Sequence, residues 1–202
     1  MKPWIMFTKH LEGWDLKQII AALKSTGVEG ADLCVRPGYP VAPENARTAL
    51  PEAARRFADE GLCIPLITTP GDFTDPGIDY ALPLFEACAE AGVKLVKLGY
   101  WYMEADGYWA TVDRCRKQLE GFAALAERTG VKPVIHNHSG STMGLNSAAV
   151  MHLVKGFNPA LVGVFADVGH LSIVGEPYPM AFDIVKEYLS AVAFKDLVRQ
   201  KF

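Results

Sequence analysis

The chain has 202 residues, of which 50% are hydrophobic and 21% are charged, and its formal net charge is −3. This composition is typical of a folded globular protein and excludes extensive disorder. The charge provides no overall positive field for a nucleic-acid backbone, and the longest apolar runs fall far short of the ~20 residues that a membrane-spanning helix needs. The N-terminus lacks a signal-peptide pattern, and the four cysteines have no metal-binding spacing. We therefore expect a cytoplasmic protein with reduced cysteines and with neither nucleic-acid nor membrane partners.

Short strand-like runs alternate with amphipathic helical stretches from one end of the chain to the other. The first helix is indicated by apolar residues at helical spacing, from Leu16 to Leu23, and by Gly27 at its C-terminal end. In chain order the predicted elements are strand Trp4–Thr8, that first helix, strand Ala31–Arg36, helix Asn45–Glu60, strand Cys63–Thr68, helix Ile78–Gly92, strand Lys94–Gly99, helix Trp109–Thr129, strand Pro133–His138, helix Ser147–Gly156, strand Val162–Asp167, helix Pro179–Leu189 and strand Ala191–Lys195.

Four of the predicted helices end at a glycine that leads into the next strand, namely Gly27, Gly61, Gly92 and Gly130. Their spacing of 31 to 38 residues, with strand and helix alternating, predicts βα units and a parallel sheet. Such units form either a closed (βα)8 barrel or an open doubly wound sheet. No glycine-rich phosphate-binding motif follows a strand, and polar residues share one strand face, as Asp32, Cys34 and Arg36 do. Both observations favour the barrel, whose strands can turn polar groups inward.

The sequence therefore predicts an α/β fold, a (βα)8 TIM-type barrel with seven strands and six helices visible and an eighth strand not present in the chain. A TIM barrel typically has ~250 residues, so we interpret residues 1–202 as a single TIM-barrel-like domain that is incomplete at its C-terminus. In such a barrel the active site is built at the C-terminal ends of the strands.

Polar side chains collect at these predicted strand ends, and four of the five histidines are among them; the fifth, His152, is predicted to face solvent from a helix. His136 and His138 stand two residues apart, which places both imidazoles on one face of the fifth strand. Asp167 ends the sixth strand, and His170 follows three residues later. A carboxylate oxygen together with imidazole nitrogens suits Mn²⁺, Zn²⁺ or another divalent cation.

Other strand-end residues admit more than one interpretation. Arg36 and Lys97 are either ion-pair partners at the edge of the core or groups that bind an anionic or polyhydroxyl substrate. Lys195 either pairs with neighbouring strands or binds substrate. Five aromatic residues follow the fourth strand, namely Tyr100, Trp101, Tyr102, Tyr108 and Trp109. They are interpreted as a stacking wall over a sugar ring, as a subunit contact or as a lid on the barrel.

A family resemblance rests on five segments: Phe7-Thr-Lys-His-Leu11, Asp32-Leu-Cys-Val-Arg-Pro-Gly38 with Pro43-Glu44, His136-Asn-His-Ser-Gly140, Asp167-Val-Gly-His170 and Lys195-Asp196. In their order and their placement at strand ends they resemble the xylose isomerase-like barrel superfamily of sugar phosphate isomerases and epimerases. The resemblance implies a divalent cation (Mn²⁺, Mg²⁺, Zn²⁺ or Co²⁺) in the barrel mouth that binds two oxygens of a hydroxy-ketone or sugar. It also implies proton transfer at the carbon next to a carbonyl, or a metal-assisted hydride shift.

The chain departs from the ligand pattern of that superfamily in three ways. Members often carry a glutamate at the end of the fifth strand, where this chain has His136. They often carry a histidine two residues before the Lys-Asp pair, where this chain has Ala193. A last glutamate normally comes from the eighth strand, which this chain lacks. Relatives with His-x-His on the fifth strand, including inosose dehydratase-like proteins, show that the first glutamate is not universal.

Together these features predict a metal-dependent isomerase or epimerase that acts on a small sugar or keto-polyol through a metal-stabilised enediolate. In this hypothesis His136, His138 and Asp167 bind the metal, and His138 and His170 are catalytic. The predicted substrate-binding residues are His10, Arg36, Lys97, Trp101, Asn137 and Lys195. A small carbohydrate is the expected partner, and assembly into a homo-oligomer stays open.

Three other functions remain as alternatives. A dehydratase of a keto-inositol-like substrate would use the same enolate but expel a hydroxyl group. A non-catalytic sugar-binding barrel would account for Ala193 and for the absent eighth strand. The DNA-repair endonuclease branch of the fold is disfavoured by the negative net charge and by too few ligands for a multi-zinc site.

Overall fold

The computed structural model describes residues 3–195, which form one seven-stranded sheet with helices on its outer face. The strands are β1 (Ile5–Phe7), β2 (Gly30–Cys34), β3 (Cys63–Thr68), β4 (Leu95–Lys97), β5 (Lys132–His136), β6 (Gly163–Asp167) and β7 (Leu189–Ala193). The helices are α1 (Leu16–Thr26), α2 (Ala46–Asp59), α3 (Ala81–Glu90), α4 (Tyr108–Thr129), α5 (Ser147–Val154), α6 (Val168–Val174) and α7 (Tyr178–Val185). A short 3₁₀ helix, Thr8–Leu11, follows β1.

The strands pair in sequence order from β1 to β7, and every neighbouring pair is parallel. This is the order of a TIM-type barrel, so the predicted fold with seven visible strands is confirmed. Within residues 3–195, β1 and β7 are the edges of the sheet and do not pair with each other. The Trp4 and Phe194 rings approach each other next to these edges, with centroids 5.6 Å apart. Asp196, predicted to end the last strand together with Lys195, lies outside the described residues.

The prediction of six helices is wrong, because the described part of the chain contains seven α-helices. The additional helix, α6, begins directly after β6 without a connecting turn, so no turn residue marks it in the sequence. The Asp167 side chain caps it by accepting a hydrogen bond from the His170 backbone N–H at 3.0 Å. None of the helices in this part of the chain is long and apolar enough to cross a membrane.

Apolar side chains form two clusters, one on each side of the sheet. The large cluster lies between strands and helices and includes Leu33 of β2 and Val96 of β4. The small cluster lies on the inner side and consists of the buried residues Leu66, Val134 and Phe165. Asp32 and Lys97 alternate with Leu33 and Val96 along their strands, and they therefore face inward. The barrel interior thus has an apolar floor and a polar mouth.

Candidate active site

A cavity of about 540 Å³ opens at the carboxyl ends of the strands. Its volume is in the range of small-molecule sites. Eight of the ten predicted site residues line it, namely His10, Arg36, Lys97, His136, His138, Asp167, His170 and Lys195. The fold therefore brings together residues that come from every part of the sequence.

Asp167 lies at the centre of the polar cluster in this cavity. Its side chain is fully buried, and its Oδ2 lies 3.1 Å from His136 Nε2 and 2.6 Å from Lys195 Nζ. Its Oδ1 accepts the hydrogen bond from the His170 backbone that caps α6. Burial alone would raise the pKa of Asp167, but the hydrogen bonds from His136 and Lys195 outweigh it and hold that pKa below its usual range. The carboxylate is therefore ionised and held in one orientation.

Three side chains form a potential metal-binding group: His136, Asp167 and His170. Their donor atoms lie within 4.8 Å of one another, and their side chains are 8%, 0% and 12% exposed. Burial lowers the pKa of His136 and of His170 to about 4, so both imidazoles are neutral at pH 7. Neutral imidazole is the form that ligates metals, and two nitrogens with one carboxylate oxygen suit a divalent transition-metal cation. The donor set therefore fits such a cation.

Lys195 competes with a cation for this group. Its Nζ contacts Asp167 Oδ2 at 2.6 Å and His170 Nε2 at 3.2 Å, so the ammonium uses acceptors that a metal would need. The Lys195 side chain is 45% exposed, which allows the ammonium to move toward solvent. Metal binding therefore requires that Lys195 be displaced from Asp167.

His138, predicted as a metal ligand, is not one of the three grouped donors, and His170 takes the third position. The reason is local: β5 ends at His136, so strand alternation no longer sets the direction of His138. The His138 Nδ1 lies 2.8 Å from the Ser139 carbonyl oxygen and donates to it, while its ring stacks near the His170 ring at 3.9 Å. His138 lines the cavity, and no hydrogen bond of its Nε2 is described within residues 3–195.

Two predicted substrate-binding residues, Trp101 and Asn137, lie outside the cavity lining. The indole N–H of Trp101 donates to Gln118 on α4 at 2.5 Å, so this buried ring joins the β4–α4 connection to the helix. The Asn137 amide bonds to the backbone of Asp167 twice, accepting from its N–H at 2.6 Å and donating to its carbonyl at 3.2 Å. Asn137 therefore positions Asp167 from the neighbouring strand end, and the structure gives it no place against a ligand.

Two further cavity residues, Tyr100 and Asp32, are not among the ten predicted site residues. The Tyr100 hydroxyl lies 3.3 Å from His136 Nδ1, on the side of the ring opposite Asp167. Asp32 is 4% exposed, and both of its carboxylate oxygens lie within 2.9 Å of the Thr68 hydroxyl. Burial raises the pKa of Asp32 to about 7. The alternation of Asp32 with Leu33 on β2 was the sequence signal for an inward-facing carboxyl group.

Lys97 is the most isolated charged side chain of the cavity. It is 2% exposed, and its Nζ has no hydrogen-bond partner among residues 3–195. Its nearest described contact is the Tyr100 ring, whose centroid lies 3.7 Å from Nζ. Burial, assisted by the charge of Arg36, lowers the pKa of Lys97 to about 7. Neither Lys97 nor Arg36 takes part in an ion pair within the described chain, so the interpretation as core-edge ion-pair partners does not match their surroundings.

Comparisons with known proteins agree with this architecture. The solved structure of 3-keto-D-glucoside 4-epimerase from E. coli is similar with a TM-score of 0.75 and 15% identity, over 95% of this chain and 78% of that chain. D-psicose 3-epimerase from Clostridium cellulolyticum H10 is similar with a TM-score of 0.76 and 15% identity, over 96% and 73% of the two chains. A probable 3-DHS dehydratase from Bacillus anthracis gives 0.69 and 13%, over 95% and 72%. At these identities the likeness establishes the fold.

No curated protein matches the sequence. The sequence model of the family described as xylose isomerase-like TIM barrel matches residues 20–201, which is most of the chain. This match agrees with the strand order and with the position of the cavity at the strand ends. The chain therefore belongs to the xylose isomerase-like TIM barrel family.

Proposed function

We propose that the protein is a divalent-cation-dependent isomerase or epimerase of a small sugar or keto-polyol, with residues 1–202 acting as one domain. The observation that carries the proposal is the buried group of His136, Asp167 and His170 in a cavity of about 540 Å³. Two of the matched structures are named as epimerases of 3-keto-D-glucoside and of D-psicose, which supports a carbohydrate ligand.

Each side chain of the group has a defined part in this proposal. When bound, a divalent cation polarises the substrate oxygens and stabilises negative charge that develops next to the carbonyl. His136, Asp167 and His170 hold it, and the Tyr100 hydroxyl orients the His136 ring through Nδ1. His138 carries the proton, because its Nδ1 donates to Ser139 and its Nε2 is left free to accept.

Metal binding is the first test. Wild type, Asp167→Ala and Asp113→Ala are stripped of metal and titrated with Mn²⁺, Zn²⁺, Co²⁺ and Mg²⁺ by calorimetry, and their metal content is then measured. Asp113 is exposed on α4 and serves as a matched carboxylate control. We expect one tight site in wild type and in the Asp113 variant and its loss in Asp167→Ala. Equal metal content in Asp167→Ala and wild type would overturn the assignment.

Proton transfer is the second test. The metal-loaded protein is incubated with a panel of ketoses and keto-polyols in D₂O, and NMR follows deuterium at the carbon next to the carbonyl. We expect exchange and an epimer or isomer with at least one substrate, and His138→Gln is expected to lose exchange while keeping its metal. Absence of both exchange and product across the panel would contradict the isomerase proposal, and product without exchange would contradict proton transfer by His138.

A dehydratase is the second candidate, because one of the similar structures is named as a probable 3-DHS dehydratase. It would need the same carbanion stabilisation, followed by loss of a hydroxyl group from the next carbon. The two reactions give different products. Formation of an unsaturated or diketone chromophore in the ultraviolet, together with loss of water by mass spectrometry, would identify the dehydratase.

A further inference from the structure

The cavity has an excess of positive charge although the chain as a whole is negative. Among the described residues, the cavity lining includes the cationic side chains Lys9, Arg36, Lys97 and Lys195 and the acidic side chains Asp32 and Asp167. The formal net charge of the chain is −3. Asp167 is already contacted by Lys195 at 2.6 Å, so Lys9, Arg36 and Lys97 remain with Asp32 for the rest of the cavity. Burial lowers the pKa of Lys97 to about 7, and a bound anion would favour its ammonium form.

Lys97 is buried without the hydrogen bonds that an ammonium group requires. In its ammonium form it can donate three hydrogen bonds, yet none is made within residues 3–195, and its Nζ lies 3.7 Å from the centroid of the Tyr100 ring. Burying a charged group without partners is expensive, and a cation–π contact returns only part of the lost hydration. A ligand atom that accepts hydrogen bonds and carries negative charge would supply the missing hydrogen bonds of Lys97 and would compensate its charge.

Arg36 lines the same cavity as Lys97 and is fixed there by one hydrogen bond. Its Nε donates to the Thr69 carbonyl oxygen at 2.9 Å, which fixes the guanidinium at the cavity wall. No hydrogen bond or ion pair of its terminal N–H groups is described within residues 3–195, and their planar fork matches the geometry of a carboxylate or a phosphate. The charge of Arg36 also lowers the pKa of Lys97. Two cationic side chains in one cavity wall, both with unused donors among the described residues, are typical of an anion site.

Asp32 is the one opposing carboxyl group in this part of the cavity. The Thr68 hydroxyl lies 2.8 and 2.9 Å from its two oxygens, and it forms no ion pair with Arg36 or Lys97 in the described structure. Because burial raises the pKa of Asp32 to about 7, a proton neutralises it at little cost when an anion enters. Asp32 therefore does not exclude an anionic ligand.

We propose that Lys97 and Arg36 form a subsite for an anionic group of the ligand, a carboxylate or a phosphate, so that the substrate is a sugar acid or a phosphorylated sugar. This inference rests on the proposed function for the carbohydrate character of the ligand. A neutral polyol would satisfy hydrogen bonds of Lys97 but would leave the excess charge of the cavity uncompensated.

The test compares ligands that differ only in charge. Calorimetry on metal-stripped protein measures binding of D-gluconate, D-glucitol 6-phosphate and uncharged D-glucitol, so that the two charged probes distinguish carboxylate from phosphate. We expect at least one of them to bind about 10-fold or more tightly than D-glucitol, the strength of a charge-assisted hydrogen bond. Lys97→Met should abolish this preference, whereas Lys94→Met, which removes an exposed lysine just before β4, should retain it.

Equal binding of charged and uncharged probes to wild type, or a preserved preference in Lys97→Met, would overturn the subsite. Circular dichroism and thermal unfolding establish that each variant is folded. If Lys97→Met does not fold, Arg36→Gln and the salt dependence of the wild type decide the matter. Binding of a charged probe at cationic side chains weakens as NaCl rises and binding of D-glucitol does not, and Arg36→Gln should reduce this salt dependence. The two proposals can fail separately. An anion preference in the metal-stripped protein, together with no binding in the metal titration, would refute the proposed function alone. Deuterium exchange on neutral sugars, together with no anion preference, would refute the subsite alone.

Discussion

Replacing Asp32 by asparagine should stabilise the folded protein at alkaline pH, although Asp32 lines the cavity. Burial raises the pKa of Asp32 from 3.8 to about 7, and the nearby charges of Lys97 and Arg36 reduce this effect without cancelling it. Three pKa units correspond to ~4 kcal/mol, which is the upper limit of the cost of ionising this carboxyl group in the folded state. Asparagine keeps an oxygen for the Thr68 hydroxyl and never ionises.

The direction of the pH dependence follows from proton binding. Between pH 3.8 and about 7 the folded protein holds a proton on Asp32 that the unfolded chain has released. The contribution of Asp32 to stability therefore falls as the pH rises through this window, which is opposite to the behaviour of a salt-bridged carboxylate. The free energy of unfolding of Asp32→Asn does not contain this contribution, so its advantage over wild type grows with pH. Lys97 and Cys34, which also face Asp32, are present in both proteins.

Urea unfolding of wild type and Asp32→Asn at about pH 5 and about pH 8 measures the effect. We expect the advantage of the variant to grow by ~2–3 kcal/mol between these values, seen as a shift of the midpoint at an unchanged m-value. Asp113→Asn, which changes an exposed carboxylate on α4, should show no comparable trend. A variant less stable than wild type at about pH 8, or a difference that does not depend on pH, would refute the conclusion that buried charge dominates at Asp32.

Three further substitutions test other contacts of the structure. Lys195→Met should tighten Mn²⁺ or Zn²⁺ binding by ~10-fold in calorimetry, since the ammonium no longer competes for Asp167 Oδ2. An unchanged or weaker metal affinity would contradict competition between Lys195 and the metal. Tyr100→Phe should weaken metal binding by ~10-fold, because it removes the hydroxyl next to His136. The melting temperature of the metal-free protein should stay nearly unchanged, because the ring beneath Lys97 is kept. Equal metal affinity would show that this hydroxyl does not orient the imidazole. Gly30→Ala should lower the free energy of unfolding by ~2–3 kcal/mol in urea titrations, because the added Cβ would lie 2.1 Å from the Cys63 carbonyl oxygen. A variant as stable as wild type would show that β2 can shift away from β3.

The barrel was predictable because its signals are local and repeated. Four of the seven strands follow a helix-ending glycine, and β3 matches the predicted Cys63–Thr68 at both ends. The α6 helix was not predictable in the same way, because Asp167 is both the last residue of β6 and the cap of α6. One residue that belongs to two elements leaves no boundary for a sequence pattern to mark.

Strand alternation predicted the direction of side chains inside the strands and failed beyond their ends. Lys97, still within β4, faces the cavity as expected, but Trp101 lies beyond β4, and its carbonyl accepts a hydrogen bond from the Met143 N–H at 2.9 Å. That contact joins two distant loops, so it turns Trp101 toward α4 and leaves Tyr100 at the cavity. His138 is fixed within its own loop, where its backbone N–H donates to the Gly144 carbonyl at 3.0 Å. Neither kind of loop contact has a counterpart in the periodicity of a sequence.

The sheet also explains why Asp32 and Lys97 do not neutralise each other. They lie on β2 and β4, with β3 between them, and Thr68 of β3 is the register partner of Lys97 and the hydrogen-bond donor to Asp32. Neighbouring strands are ~4.8 Å apart, so the two backbones are held two strand spacings from each other. An ion pair at contact distance would relieve the cost of burying both groups, yet the intervening strand keeps the ammonium and the carboxyl group apart. Two such costly groups in one cavity reduce the stability of the protein, which agrees with the proposed binding of a ligand there.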